Sequence, residues 1–151
     1  MGIVAIRGAI TVDENSVEAI KNATVELFNA VIAQNNLKIE DIAFLNFSAT
    51  KDINKVYPAK FIRTELGITT IPMMCYQEMD VECSLDMCIR LLIVVNTINN
   101  DFEVKHIYLK GAQVLRPDLK KWKYYNKKIG AIAPSCLELR IVGSMKKINY
   151  I

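Results

Sequence analysis

From Ile3 to Ile10 the chain is apolar and β-branched, the pattern of a short strand, which Arg7-Gly8 interrupts with a charge and a flexible residue. Arg7 is therefore expected near a strand end. Between Ser16 and about Asn35 the period changes: Val17, Ile20, Leu27, Val31 and Ile32 return at helical spacing, with Asp13 or Asn15 available as a cap and Asn35-Asn36 as a stop. Ile42 to Ser48 is a second strand pattern, and it runs into the polar stretch Ala49-Thr50-Lys51-Asp52. Pro58 suits the first turn of a short helix that Gly67 can end, which sets Lys60 and Arg63 on one face. Ile71 to Cys75 and Ile89 to Thr97 are strand-like, and His106 to Leu109 is a shorter candidate. No internal repeat is present. One long helix beside several strands predicts an α+β fold built on a sheet layer.

A chain of 151 residues, 52% hydrophobic, has room for one domain with a substantial core. Met1 to Arg7 show no basic flank or cleavage pattern, and no segment reaches the roughly 18 uninterrupted apolar residues of a membrane span. A cytoplasmic location is the expectation. The net charge of +3 is misleading, because residues through Leu119 carry 11 Lys and Arg against 15 Asp and Glu, and the remainder carry 8 against one. The basic character belongs to the end of the chain, where Lys120-Lys121-Trp122-Lys123-Tyr124-Tyr125-Asn126-Lys127-Lys128 precedes a less charged run. We expect a main domain over residues 1–119 and a basic, then apolar, extension over 120–151.

Cys75, Cys83, Cys88 and Cys136 form neither a CxxC pair nor a dense disulfide framework, and His106 is the only histidine. The thiols are read as structural or incidental. So few ligands and bases argue against a zinc site and against nucleophilic catalysis by a histidine-assisted Ser or Cys. No metal is expected.

Arg90 alternates along its strand with Cys88, Leu92 and Val94, so one guanidinium points to a side that is otherwise mostly apolar. Burying an unpaired charge costs several kcal/mol, and Arg90 therefore needs a carboxylate, a path to solvent or an anionic ligand. Glu78 and Asp86 are the carboxylates available for a plain salt bridge. Glu78 itself follows a predicted strand within Cys75-Tyr76-Gln77-Glu78-Met79-Asp80, where an acid is either solvated or brought into a site. Tyr108 reads equally as a core residue with a polar tip, and Arg116 as a surface charge.

Taken together, Ile6-Arg7-Gly8-Ala9, Ser48-Ala49-Thr50, Pro58-Ala59-Lys60, Cys75 to Asp80, Cys88-Ile89-Arg90, His106-Ile107-Tyr108-Leu109 and Val114-Leu115-Arg116-Pro117-Asp118-Leu119 carry a specific likeness. In order and spacing, without insertion from Ile3 to Leu119, they resemble the compact trimeric chorismate mutases of the Bacillus type. The resemblance implies an intramolecular Claisen rearrangement of chorismate to prephenate, on the route to phenylalanine and tyrosine, without cofactor or covalent intermediate. It implies a homotrimer whose mixed sheets form a pseudo-α/β barrel, with active sites between subunits. Arg90 would stabilise the ether oxygen and a carboxylate, and Glu78 would accept the ring hydroxyl's hydrogen bond with Cys75 close to the same hydroxyl. Arg7 and Tyr108 would hold the enolpyruvyl carboxylate. Tyr57, Ala59, Lys60 and Arg63 would arrive from a neighbouring subunit, and Leu115 and Arg116 would help close the pocket.

Two departures stand out: Tyr57 replaces the family's usual phenylalanine, and the chain continues from Lys120 to Ile151 beyond the point where family members commonly finish. A trimeric carboxylate-binding module without catalysis is the first alternative, disfavoured by the pairing of Arg90 with Glu78. The second assigns Lys120 to Lys128 to nucleic acid or an anionic membrane. With no paired groove or motif, a solvated charge run is the simpler reading, and neither partner is expected.

Overall fold

The computed structural model describes residues 2–97 and 102–119. The expected extension, with its Lys120 to Lys128 run and Cys136, lies outside the described residues. Five strands, β1 (Gly2–Thr11), β2 (Ile42–Ala49), β3 (Met73–Gln77), β4 (Cys88–Thr97) and β5 (Ile107–Leu109), form one sheet in the order β3-β2-β4-β1-β5. The sheet is mixed: β4 runs antiparallel to both β1 and β2, whereas β5 and β3 add in parallel at the two edges. Among the described residues, helix α1 (Val17–Asn35) and the short α2 (Ala59–Thr64) complete the regular structure, with 3-10 turns at Ile39–Asp41, Lys110–Leu115 and Pro117–Leu119. The α+β class follows as expected.

Alternation along the strands sorts the side chains. Ile6, Ile10, Leu45, Phe47, Ile89 and Ile93 are fully buried in one cluster with Ile20, Leu27 and Val31 of α1 and Ile62 of α2. Full burial of a side chain of this size stabilises the fold by about 1.5–3 kcal/mol. β1 does not break at Arg7-Gly8, which lie in mid-strand. Gly8 serves close packing instead, since a Cβ placed there would lie 3.0 Å from Leu27 Cδ1 and 3.1 Å from Val31 Cγ2.

Local details depart from expectation for identifiable reasons. The N-cap of α1 is Ser16, whose Oγ accepts from the Ala19 N–H at 3.1 Å. Asn15 is engaged instead with Asn54, and Asp13 with Lys110. Val17 lies half exposed, whereas Thr24 is fully buried with its hydroxyl donating to the Ile20 carbonyl at 2.7 Å. The helix ends at Asn36 in the left-handed region (φ 49°). β3 begins two residues later than Ile71, because Pro72 has no N–H for the ladder; its carbonyl accepts from Leu45 N, and Ile71 enters the core. α2 ends at Thr64, and the chain reverses around Gly67 (φ +68°), closed by a bond from Ile68 N–H to the Ile62 carbonyl.

Candidate active site

The face of the sheet turned away from α1 gathers the chemistry. Strand register puts Arg90 opposite Ala9 on β1 and Ser48 on β2, with Ser48 in turn opposite Tyr76 on β3, and Tyr108 on β5 beside Ala9. Residues paired in this way share a face, so Arg7, Ser48, Tyr76, Arg90 and Tyr108 all point to one side. Glu78 follows β3 on the same parity, and its backbone N–H extends the ladder by one bond, to the Ala49 carbonyl at 2.9 Å. Together they line an open cleft of about 640 Å³.

Glu78 is the carboxylate beside Arg90, with Oε1 3.0 Å from Arg90 Nε. Asp86 is exposed and does not fill that role. The same Oε1 accepts a 2.6 Å hydrogen bond from Ser48 Oγ. Although Arg90 Nε lies at ion-pair distance, its N–H is not aimed at the carboxylate; among the described residues it is a buried donor with no hydrogen-bond partner. Attraction is thus present without a directional bond through Nε. Such an unmet buried donor costs about 1–3 kcal/mol.

The start of β4, and hence Arg90, is pinned by a polar cluster from the loop after β2. Thr50 N–H donates to the Cys88 carbonyl at 3.1 Å, Cys88 N–H to Thr50 Oγ1 at 3.0 Å, and Met87 N–H to Asp52 Oδ2 at 2.7 Å. Thr50 also hydrogen-bonds Asp52. Lys51 pairs with Asp80 across the mouth of the next loop at 2.5 Å.

Arg7 is exposed, and its backbone N–H donates to His106 Nδ1 at 3.1 Å. Neutral His106 therefore carries its proton on Nε2. Burial, then the charges of Arg116 and Arg7, hold its pKa below the ordinary imidazole value. Leu115 packs on the small cluster of Ala9, Cys88 and Ala112, and Arg116 forks onto Asp118 through Nε (2.9 Å) and Nη2 (2.7 Å). Neither lines the cleft within the chain.

The remaining candidates gather elsewhere. Tyr57, Ala59, Lys60, Arg63 and Cys75, with Met73, line a second depression of about 350 Å³ at the start of α2. Cys75 alternates with Tyr76 and so lies on the opposite face of the sheet from Glu78. Within one chain the two do not meet. Cys75 and Cys88 are free thiols; burial raises the pKa of both, that of Cys88 to about 11, so neither is a ready thiolate at neutral pH. Among the described residues no group of three His, Cys, Asp or Glu side chains is arranged to hold a metal. Sequence reasoning missed Ser48 as the partner of Glu78 and His106 as the partner of Arg7. Both depend on which residues stand opposite across strands, which one-dimensional periodicity does not encode.

The family model for type I chorismate mutase matches residues 3–119. Chorismate mutase AroH of Bacillus subtilis (strain 168) is 41% identical over 123 residues, covering 82% of this chain and 97% of the relative. Chorismate mutase AroH of Thermus thermophilus is 39% identical over 116 residues, 76% of this chain and 94% of the relative. Among solved structures, a chorismate mutase from Clostridium thermocellum superposes with a TM-score of 0.70 at 40% identity, covering 74% of this chain and 98% of its own.

Proposed function

The chain belongs to the type I chorismate mutase family and is an isomerase of aromatic biosynthesis, and we propose that Arg90 and Glu78 form the catalytic centre at which it converts chorismate to prephenate. The reaction is an intramolecular rearrangement. No electron or group passes between molecules, so the side chains' work is to fold the substrate and favour its charge-separated transition state. As the ether bond breaks ahead of carbon–carbon bond formation, negative charge grows on oxygen and positive character on the ring fragment. Arg90 meets the first and Glu78 the second, through orientation and electrostatics without proton transfer. Arg7 and Tyr108 take the enolpyruvyl carboxylate. The observation that carries this reading is the gathering of Arg90, Arg7 and Tyr108 in one cleft beside a Glu78 carboxylate that Ser48 already holds.

The second depression belongs to the same reaction in a homotrimer, in which Tyr57, Ala59, Lys60, Arg63 and Cys75 of one copy complete the cleft of the next. Leu115 and Arg116 close the pocket, and the three sheets build a pseudo-α/β barrel. Two features support this. The two groups lie apart within one chain, and the cleft side carries exposed Met74 (58%), Tyr76 (46%) and Met79 (85%), apolar surface suited to burial by another copy. Tyr57, 75% exposed, is an aromatic wall standing in solvent until a neighbour arrives. No described helix is long and apolar enough to cross a membrane, and we place the enzyme in the cytoplasm as part of this reading.

The test is loss of chorismate absorbance with prephenate confirmed as product, run beside the Arg90→Ala protein. Rapid conversion that falls by roughly a hundredfold to a thousandfold in the variant, about 3–4 kcal/mol of transition-state stabilisation, supports the assignment. A variant as fast as the parent removes Arg90 from the chemistry.

A further inference from the structure

We propose that Ser48 is a positioning residue for this reaction: its hydroxyl holds one oxygen of the Glu78 carboxylate and so leaves the other for the substrate's ring hydroxyl. The inference rests on Glu78 meeting the substrate, as proposed above. Ser48 stands on β2 between Arg90 and Tyr76, on the cleft face of the sheet and away from the apolar core. Its Oγ–Oε1 distance of 2.6 Å falls in the short range of a hydroxyl donating to a charged carboxylate.

Both neighbours of Glu78 converge on the same atom, Oε1: Ser48 Oγ by a hydrogen bond and Arg90 Nε by charge. Among the described residues none hydrogen-bonds Oε2. The backbone of Glu78 needs no help from the hydroxyl, since its N–H is already bonded to Ala49. What the hydroxyl decides is where the carboxylate points.

That choice matters because Glu78 and Arg90 are opposite charges 3.0 Å apart. An unrestrained carboxylate would turn to accept from the guanidinium directly, forming a directional salt bridge that occupies both catalytic groups. Ser48 competes for Oε1 and keeps the pair close but not hydrogen-bonded through Nε, the arrangement observed. One hydroxyl thereby preserves an acceptor for the ring hydroxyl and keeps the guanidinium from being tied to the carboxylate.

The experiment measures kcat/KM for chorismate in the intact protein for Ser48→Ala, Ser48→Thr, Glu78→Ala and the Ser48→Ala/Glu78→Ala double variant. Ser48→Ala is expected to lose roughly tenfold or more, and Ser48→Thr to retain activity within about twofold. With Glu78 removed, Ser48→Ala is expected to change little further, because the hydroxyl has nothing left to orient. An equal loss in both backgrounds, or no loss on the wild-type background while Glu78→Ala is impaired, overturns the role of Ser48 and leaves that of Glu78 standing. Full activity in Glu78→Ala removes both. If Ser48→Ala does not fold, Ser48→Thr and Ser48→Val read the hydroxyl at constant shape: an active Thr and an impaired Val support the proposal, and equal activities overturn it.

Discussion

The two faces of this sheet are made by the same strands and obey opposite rules. Toward α1, alternate residues such as Ile6, Ile10, Phe47 and Ile93 are sealed at 0% exposure. Away from α1, the residues between them include Arg7, Ser48 and Arg90, in an open cleft beside a buried donor that no described residue satisfies. The covered face stabilises and tolerates no change of shape; the open face holds charges near one another without letting them neutralise. Rigidity on one side is what makes that tension sustainable on the other.

The comparison breaks if the covered face turns out to be soft. Phe47→Ala is expected to cost about 3–5 kcal/mol of stability, read as a large fall in denaturation midpoint, because it removes a fully buried ring from the centre of β2. Gly8→Ala is next, at about 1–3 kcal/mol: the added methyl meets Leu27 and Val31 at 3.0 and 3.1 Å and presses β1 off the helix. A thermal melt of that variant indistinguishable from the parent would mean that α1 is free to shift.

The smallest effect concerns the sheet edge, where His106 holds the backbone of Arg7. Its folded-state pKa is depressed, so as pH falls below the ordinary imidazole value the unfolded chain binds a proton that the folded chain resists. Stability is therefore expected to decline from about pH 6.5 downward, and His106→Gln to flatten that part of a melting-temperature profile. A profile unchanged by the substitution would detach the edge histidine from the comparison.

Much of this was legible before any coordinates, and for a physical reason: period-2 and period-3.6 patterns survive as sequence. β1, β2, β4 and α1 announce themselves in that way, and Arg90 stands out as a charge on an apolar alternation. What the pattern could not carry was pairing. The choice of Glu78 over Asp86 beside Arg90, the anchoring of Glu78 by Ser48, and the placement of Cys75 on the far side of the sheet all follow from register between strands distant in sequence. Caps were similarly local choices, where Ser16, Asn15 and Asp13 were all chemically able and tertiary partners decided.

The position of Arg90 on β4, the central strand of the five, also bears on how such a protein can change over time. Losing or gaining one residue between the start of β4 and Arg90 would move the guanidinium into the hydrocarbon side and bring Ile89 or Leu91 into the cleft, disrupting the proposed site and the packing at one stroke. Single-residue insertions and deletions are thus expected to do more damage across β4 than substitutions do. Lineages of this enzyme would vary in length at their loops and termini, while the central strand keeps its count.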